Sequence, residues 1–87
     1  MNIIVQKYGG TSVESKEKME KICENIISYK LKNSKLVVVV SAQGKTTDEL
    51  LKKAGDYTTI QSKRELDLLL STGEIQSASL LSMMLNE

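Results

Sequence analysis

The chain has 87 residues, with 12 basic and 11 acidic side chains giving a formal charge of +1, three tyrosines as its only aromatics and no histidine. A chain this short makes at most one small domain, burying roughly two-thirds of its unfolded surface, and without Phe or Trp its core must be aliphatic. Alternating Lys and Glu with few aromatics give no nucleic-acid surface, the missing histidine excludes a Ser-His-Asp site and argues against zinc, and a single cysteine excludes an internal disulfide.

The opening "MNIIVQKYGG" lacks the basic and long apolar regions of a signal peptide. No apolar run approaches the roughly 20 residues of a membrane span. The expectation is a cytoplasmic protein with no membrane partner, and Cys23 fits a reducing compartment.

Residues 3–8, "IIVQKY", are short and β-branched and predict a strand. From Glu14 to about Lys32 the period becomes helical, with Met19, Ile22, Cys23, Ile26 and Ile27 on one face. Ser12 or Ser15 is placed to cap this helix, and Cys23 reads as core packing rather than a redox site. "KNSK" predicts a turn. "KLVVVVSA" is β-branched without alternation, which suits a strand covered on both faces of a parallel sheet. The first half therefore reads strand, helix, strand, an α/β fold built on a βαβ unit.

"QGKTTD" reads as a loop, with Thr47 or Asp48 as cap of the next helix, "DELLKKAG", which Gly55 would end. "DYTTIQS" is irregular. "KRELDLLLS" is helical, "TGE" interrupts it, and "IQSASLLSMMLNE" resumes as an amphipathic helix with Leu80, Leu81, Met84 and Leu85 on one face. Two strands alone leave both sheet edges open, so the sequence predicts the opening of a larger α/β domain, cut short.

Three loops carry candidate chemistry. In "KYGGTS", Gly9 and Gly10 allow close backbone approach, and a following helix N-terminus favours an anion. Lys7 adds charge, and Thr11 and Ser12 add hydroxyls. These residues fit a phosphate cradle, and equally a plain strand-to-helix turn beside a surface lysine. "GKT" at Gly44, Lys45 and Thr46 suggests a phosphate-binding P-loop, but the glycine that pattern needs five residues earlier is Val39. What remains there is Ser41, Thr46 and Thr47 at the C-terminal end of a strand, where ligands bind in open α/β sheets, or a hydroxyl-rich capping loop. In "LLSTGEIQSA", Glu74 either complements a helix dipole or grips an ammonium group.

Taken in order, "KYGGTSV", "VVVVSAQGKTTDEL" and "ELDLLLSTGEIQSASLLSMML" resemble the opening of the aspartokinases of the amino-acid kinase family, over essentially the whole chain. The resemblance implies phosphorylation of the β-carboxylate of L-aspartate by ATP with Mg2+. The product would be 4-phospho-L-aspartate, on the route to lysine, methionine and threonine. By motif, Lys7 would contact the transferring phosphoryl group, with Gly9, Gly10, Thr11 and Ser12 at the ATP phosphates. Ser41 and Thr47 would hold aspartate, and Glu74 would receive its α-ammonium group. Aspartate's carboxylate, with an unperturbed pKa of about 3.9, needs no general base to act as nucleophile, which agrees with a chain lacking histidine. Family members are several times longer and commonly homo-oligomeric. Residues 1–87 would be an N-terminal segment of the kinase domain, without the family's "GRGGSD"-like and "TDVDG"-like stretches or its regulatory domains. An isolated chain would then be inactive. Two other readings stand beside this one: another amino-acid kinase acting on glutamate or a related carboxylate, and a non-catalytic βαβ binding module.

Overall fold

The computed structural model describes residues 2–86. Its elements run β1 (Ile3–Tyr8), α1 (Lys16–Leu31), β2 (Lys35–Val40), α2 (Thr46–Tyr57) and α3 (Lys63–Leu85). The β-branched runs pair in parallel, in register from Ile3 opposite Lys35 to Tyr8 opposite Val40. This is the expected α/β architecture, with a helical crossover between two parallel strands.

Among the described residues, only one face of the sheet is covered. Tyr8, Leu36, Val38 and Val40 pack against a core of Val13, Met19, Ile22, Cys23, Ile26 and Leu81. The opposite face presents Ile3, Val5, Lys7, Lys35, Val37 and Val39. The expectation of a β2 strand buried on both sides is therefore corrected. Its residues alternate, because α1 and α3 both lie on the same side. Ile27, expected on the inner face of α1, is likewise half exposed.

Ser15 caps α1. Its side chain accepts from the Lys18 N–H, 3.2 Å, which satisfies one of the amides that a helix start leaves free. At the other end Asn33 takes a positive φ of 59°. The Asn33 N–H donates to the Lys30 carbonyl and the Ser34 N–H to that of Tyr29, the paired closure in which Asn can replace glycine. The predicted turn at "KNSK" thus has a specific mechanism.

The second half departs further from expectation. Lys45 occupies the cap position of α2 without a side-chain cap. Thr47 and Asp48 lie inside the first turn, where Asp48 and Glu49 complement the dipole. Gly55 does not end α2, which runs on to Tyr57. The Thr58 N–H then closes onto the Ala54 carbonyl, 3.1 Å. "TGE" does not break α3 either. Ser71 and Thr72 donate their hydroxyls to the carbonyls of Leu68 and Leu69, both 2.7 Å, so their polar groups are satisfied without leaving the helix. Gly73, Ser77 and Leu81 form its buried stripe at spacings of four. Met84 and Leu85 join the core edge, while Leu80 is exposed.

As one continuous helix of 23 residues, α3 is long and apolar enough, by length and composition alone, to cross a membrane. The separate segments read from the sequence were not. Its role here is to hold Gly73 and Leu81 against the rest of the domain, and Glu74 sits in its middle.

Candidate functional site

The three motif segments, two loops and the middle of α3, meet at the C-terminal end of the sheet. The first turns tightly, with the Ser12 N–H donating to the Gly9 carbonyl, 3.0 Å. It is then tied to the second loop by the Gly44 N–H, which donates to the Gly10 carbonyl at 2.9 Å. Gln43 adds a side-chain tie, its Nε2 donating to the Val13 carbonyl at 2.8 Å. Ser41 continues the ladder past β2, its N–H donating to the Tyr8 carbonyl at 3.1 Å.

Close approach explains two glycines. A Cβ on Gly10 would lie 2.9 Å from the Ala42 carbonyl oxygen, inside contact distance. A Cβ on Gly73 would lie 2.9 Å from the Ala42 Cβ and 3.2 Å from the Thr46 Cγ2. Ala42 is therefore gripped from both sides, by the first loop and by α3. This is how a residue far along the chain reaches the other two motifs. Gly9 differs: a Cβ there would meet nothing within 4 Å. Among the described residues no packing requires a glycine at position 9, and the space beside it is open.

The candidate side chains occupy two sides of this junction. Lys7, in β1 opposite Val39, stands on the open sheet face. Thr11 and Ser12 line a groove of about 460 Å3 against α1, with Tyr8, Lys18, Lys21 and Asn25. Within it Asn25 donates to the Tyr8 hydroxyl, 2.7 Å, which donates to Gln6, 2.9 Å. Lys18 pairs with Glu14 and donates to the Thr11 carbonyl, pinning the loop to the first turn of α1. Lys7, in β1, and the Thr11 and Ser12 side chains, in the loop that follows, thus do not line one cavity. Ser41 is half-buried at the end of β2, and Thr47 is exposed in the first turn of α2. Glu74 is exposed on α3, about 100° around the helix from the buried Gly73. Among the described residues no ion pair engages Lys7 or Glu74, so both charges are free for a ligand.

The described residues contain no group of three or more acidic, His or Cys side chains placed to hold a metal ion. The donor set fits anionic groups: two glycines, two hydroxyls and a lysine at a strand end. Residues the sequence reading left out are structural members of the junction. Gln43, Ala42 and Val13 hold the loops together, Val13 being fully buried. The signal for them was their position beside the glycines, since none carries chemistry of its own.

The model of the Amino acid kinase family matches residues 2–87. Similar proteins include the aspartokinase of Geobacillus stearothermophilus and aspartokinase 2 of Bacillus subtilis, each 53% identical over all 87 residues. The aspartokinase of Thermus thermophilus is 51% identical over 85 residues. The chain spans 21% of the length of each of these relatives. Among solved structures, aspartate kinase from Synechocystis superposes with a TM-score of 0.92 at 45% identity, over 97% of this chain and 14% of that one. With the match running through all three motif segments, the chain belongs to the amino-acid kinase family.

Proposed function

We propose that this chain is the N-terminal segment of an aspartokinase catalytic domain. It carries the phosphate loop and part of the aspartate site of an enzyme that transfers the γ-phosphoryl group of ATP to the β-carboxylate of L-aspartate. The carrying observation is the meeting of the two loops and α3 around Ala42, fixed by the Gly10–Gly44 backbone bond and by the contact of Gly73.

In this reading Lys7 presents its ammonium group to the transferring phosphoryl oxygens and stabilises the charge that builds there. Gly9 and Gly10 let backbone amides approach the nucleotide phosphates, and the open space at Gly9 suits that role. Thr11 and Ser12 stand beside them. Ser41 and Thr47 hold the aspartate, and Glu74 receives its α-ammonium group. Magnesium, which neutralises phosphate charge when bound, would arrive with the nucleotide, since the described residues offer it no carboxylate cluster. The remaining nucleotide contacts, the regulatory domains and any homo-oligomeric assembly would belong to sequence beyond these 87 residues. The product, 4-phospho-L-aspartate, would feed lysine, methionine and threonine synthesis in the cytoplasm.

Glu74 gives the sharpest test of substrate. In an intact enzyme carrying this segment, Glu74→Gln removes a charge-assisted hydrogen bond worth about 1.5–3 kcal/mol. The KM for aspartate should rise by about 10–100-fold while the KM for ATP stays near its original value. Equal rises for both substrates, or turnover of glutamate in preference to aspartate, would contradict the assignment.

A further inference from the structure

We propose that Gly73 is a specificity-determining positioning residue: its missing side chain sets how closely Glu74 stands to Ser41 and Thr47, and with it the length of acceptor amino acid that the site takes. The inference rests on the aspartokinase reading above and deepens it. Gly73 is buried in the middle of α3. A Cβ there would lie 2.9 Å from the Ala42 Cβ and 3.2 Å from the Thr46 Cγ2. Ala42 follows Ser41, Thr46 precedes Thr47, and Gly73 precedes Glu74. The close contact between α3 and the second loop therefore falls one residue away from each proposed aspartate ligand.

At this contact the loop is braced and the helix is the part that yields. Ala42 presents its carbonyl to Gly10, where a Cβ would again lie only 2.9 Å away. The Gly44 N–H donates to the Gly10 carbonyl at 2.9 Å, and the Thr46 N–H closes the turn onto the Gln43 carbonyl at 2.8 Å. A methyl group on Gly73 therefore displaces α3 rather than Ala42. Carbon atoms rest about 3.5–4.0 Å apart, so the helix must move outward by about 1 Å. Glu74 moves with it and draws the ammonium end of the acceptor away from the loop. The carboxylate end is pulled back from the phosphoryl group at Lys7 by a similar amount. Aspartate then falls short by roughly the reach of one methylene, which glutamate supplies. A misplacement of about 1 Å costs on the order of 10²-fold in rate, and one methylene is worth about 10–200-fold in discrimination.

The test measures kcat/KM for L-aspartate and for L-glutamate in the intact enzyme that carries this segment, with MgATP and with hydroxylamine to trap the acyl phosphate. Gly73→Ala should lower kcat/KM for aspartate by about 10²-fold and that for glutamate by much less. The aspartate-to-glutamate ratio should thus fall by about tenfold or more. Ala42→Gly removes the methyl that the new side chain meets, so the double variant should recover most of the lost ratio. A merely structural role lowers both acceptors equally and leaves the ratio alone, and urea denaturation of each variant reads the stability separately. Should Gly73→Ala fail to fold, Ala42→Ser presses on the same contact from the loop side with one added atom and should shift the ratio in the same direction. An unchanged ratio in the variant that folds, or a double variant no more selective than Gly73→Ala, would overturn the proposal and leave the kinase reading intact. An unmodified enzyme that makes no acyl phosphate from aspartate would overturn the kinase reading, and this inference with it.

Discussion

Lys7 is the residue on which the proposed chemistry depends most. It lies between Val5 and the loop glycines on an open apolar face, with no ion pair among the described residues. Among the described residues its side chain is exposed, so its removal should cost the fold little. Lys7→Ala in an intact enzyme should lower kcat by about 10²–10³-fold, the loss seen when one transition-state donor is removed, without a lower melting temperature. A variant that keeps full activity would make Lys7 an ordinary surface charge. Gly73 shows the opposite balance, since its importance is steric. The Gly73→Ala methyl would press on Ala42 and Thr46, and overpacking of this kind costs typically 1–3 kcal/mol, even though alanine is the better helix former by about 1 kcal/mol. Urea denaturation should show a net loss of stability, whereas a gain would mean that α3 does not sit against Ala42. Cys23 is buried in the core. Desolvation, reinforced by Glu20 and Glu24, raises its thiol pKa, so alkylation at neutral pH should be slow until the chain unfolds.

At the scale of elements, β1 and α1 were legible because their signals are local: a β-branched run, then apolar residues at helical spacing with serine at the start. α2 and α3 were less so. Gly55 and Gly73 read as punctuation, yet both lie inside helices. Composition marks a glycine as a break, while the Ala42 contact that makes Gly73 useful is a tertiary fact. The single covered face of β2 was hidden for a similar reason, since four consecutive valines look alike whichever side is packed. Val13 and Gln43 escaped notice because their roles lie in joining loops rather than in reactive groups. At the start of α3, Ser62 donates to the Glu65 carboxylate in place of a backbone cap. This hydrogen bond lowers the Glu65 pKa. A depressed carboxylate contributes stability above its unfolded pKa and loses it as pH falls through the folded value. The first turn of α3 should therefore fray on acidification below the usual carboxylate range. In an NMR titration Ser62→Ala should move the Glu65 pKa upward, and an unchanged titration would remove the interaction from the account.

At the scale of the whole molecule, the described residues pack one face of the sheet and leave the other open. Burying a Val or Ile side chain contributes roughly 1.5–3 kcal/mol, so completing the burial of four such residues, now 45–70% exposed, is worth about 3–7 kcal/mol, a sizeable share of the roughly 5–15 kcal/mol of an ordinary domain. The same open face holds Lys7, which joins the stability of the sheet to the chemistry proposed at its edge. The central claim is that two loops and helix α3, gathered around Ala42, form part of an aspartokinase site. The most direct measurement is the intact mass of the native gene product, coupled to an assay with MgATP and L-aspartate in which hydroxylamine traps the acyl phosphate. The account predicts a product several times longer than 87 residues that forms the hydroxamate and loses it in Lys7→Ala. A native product of 87 residues that forms none would contradict it.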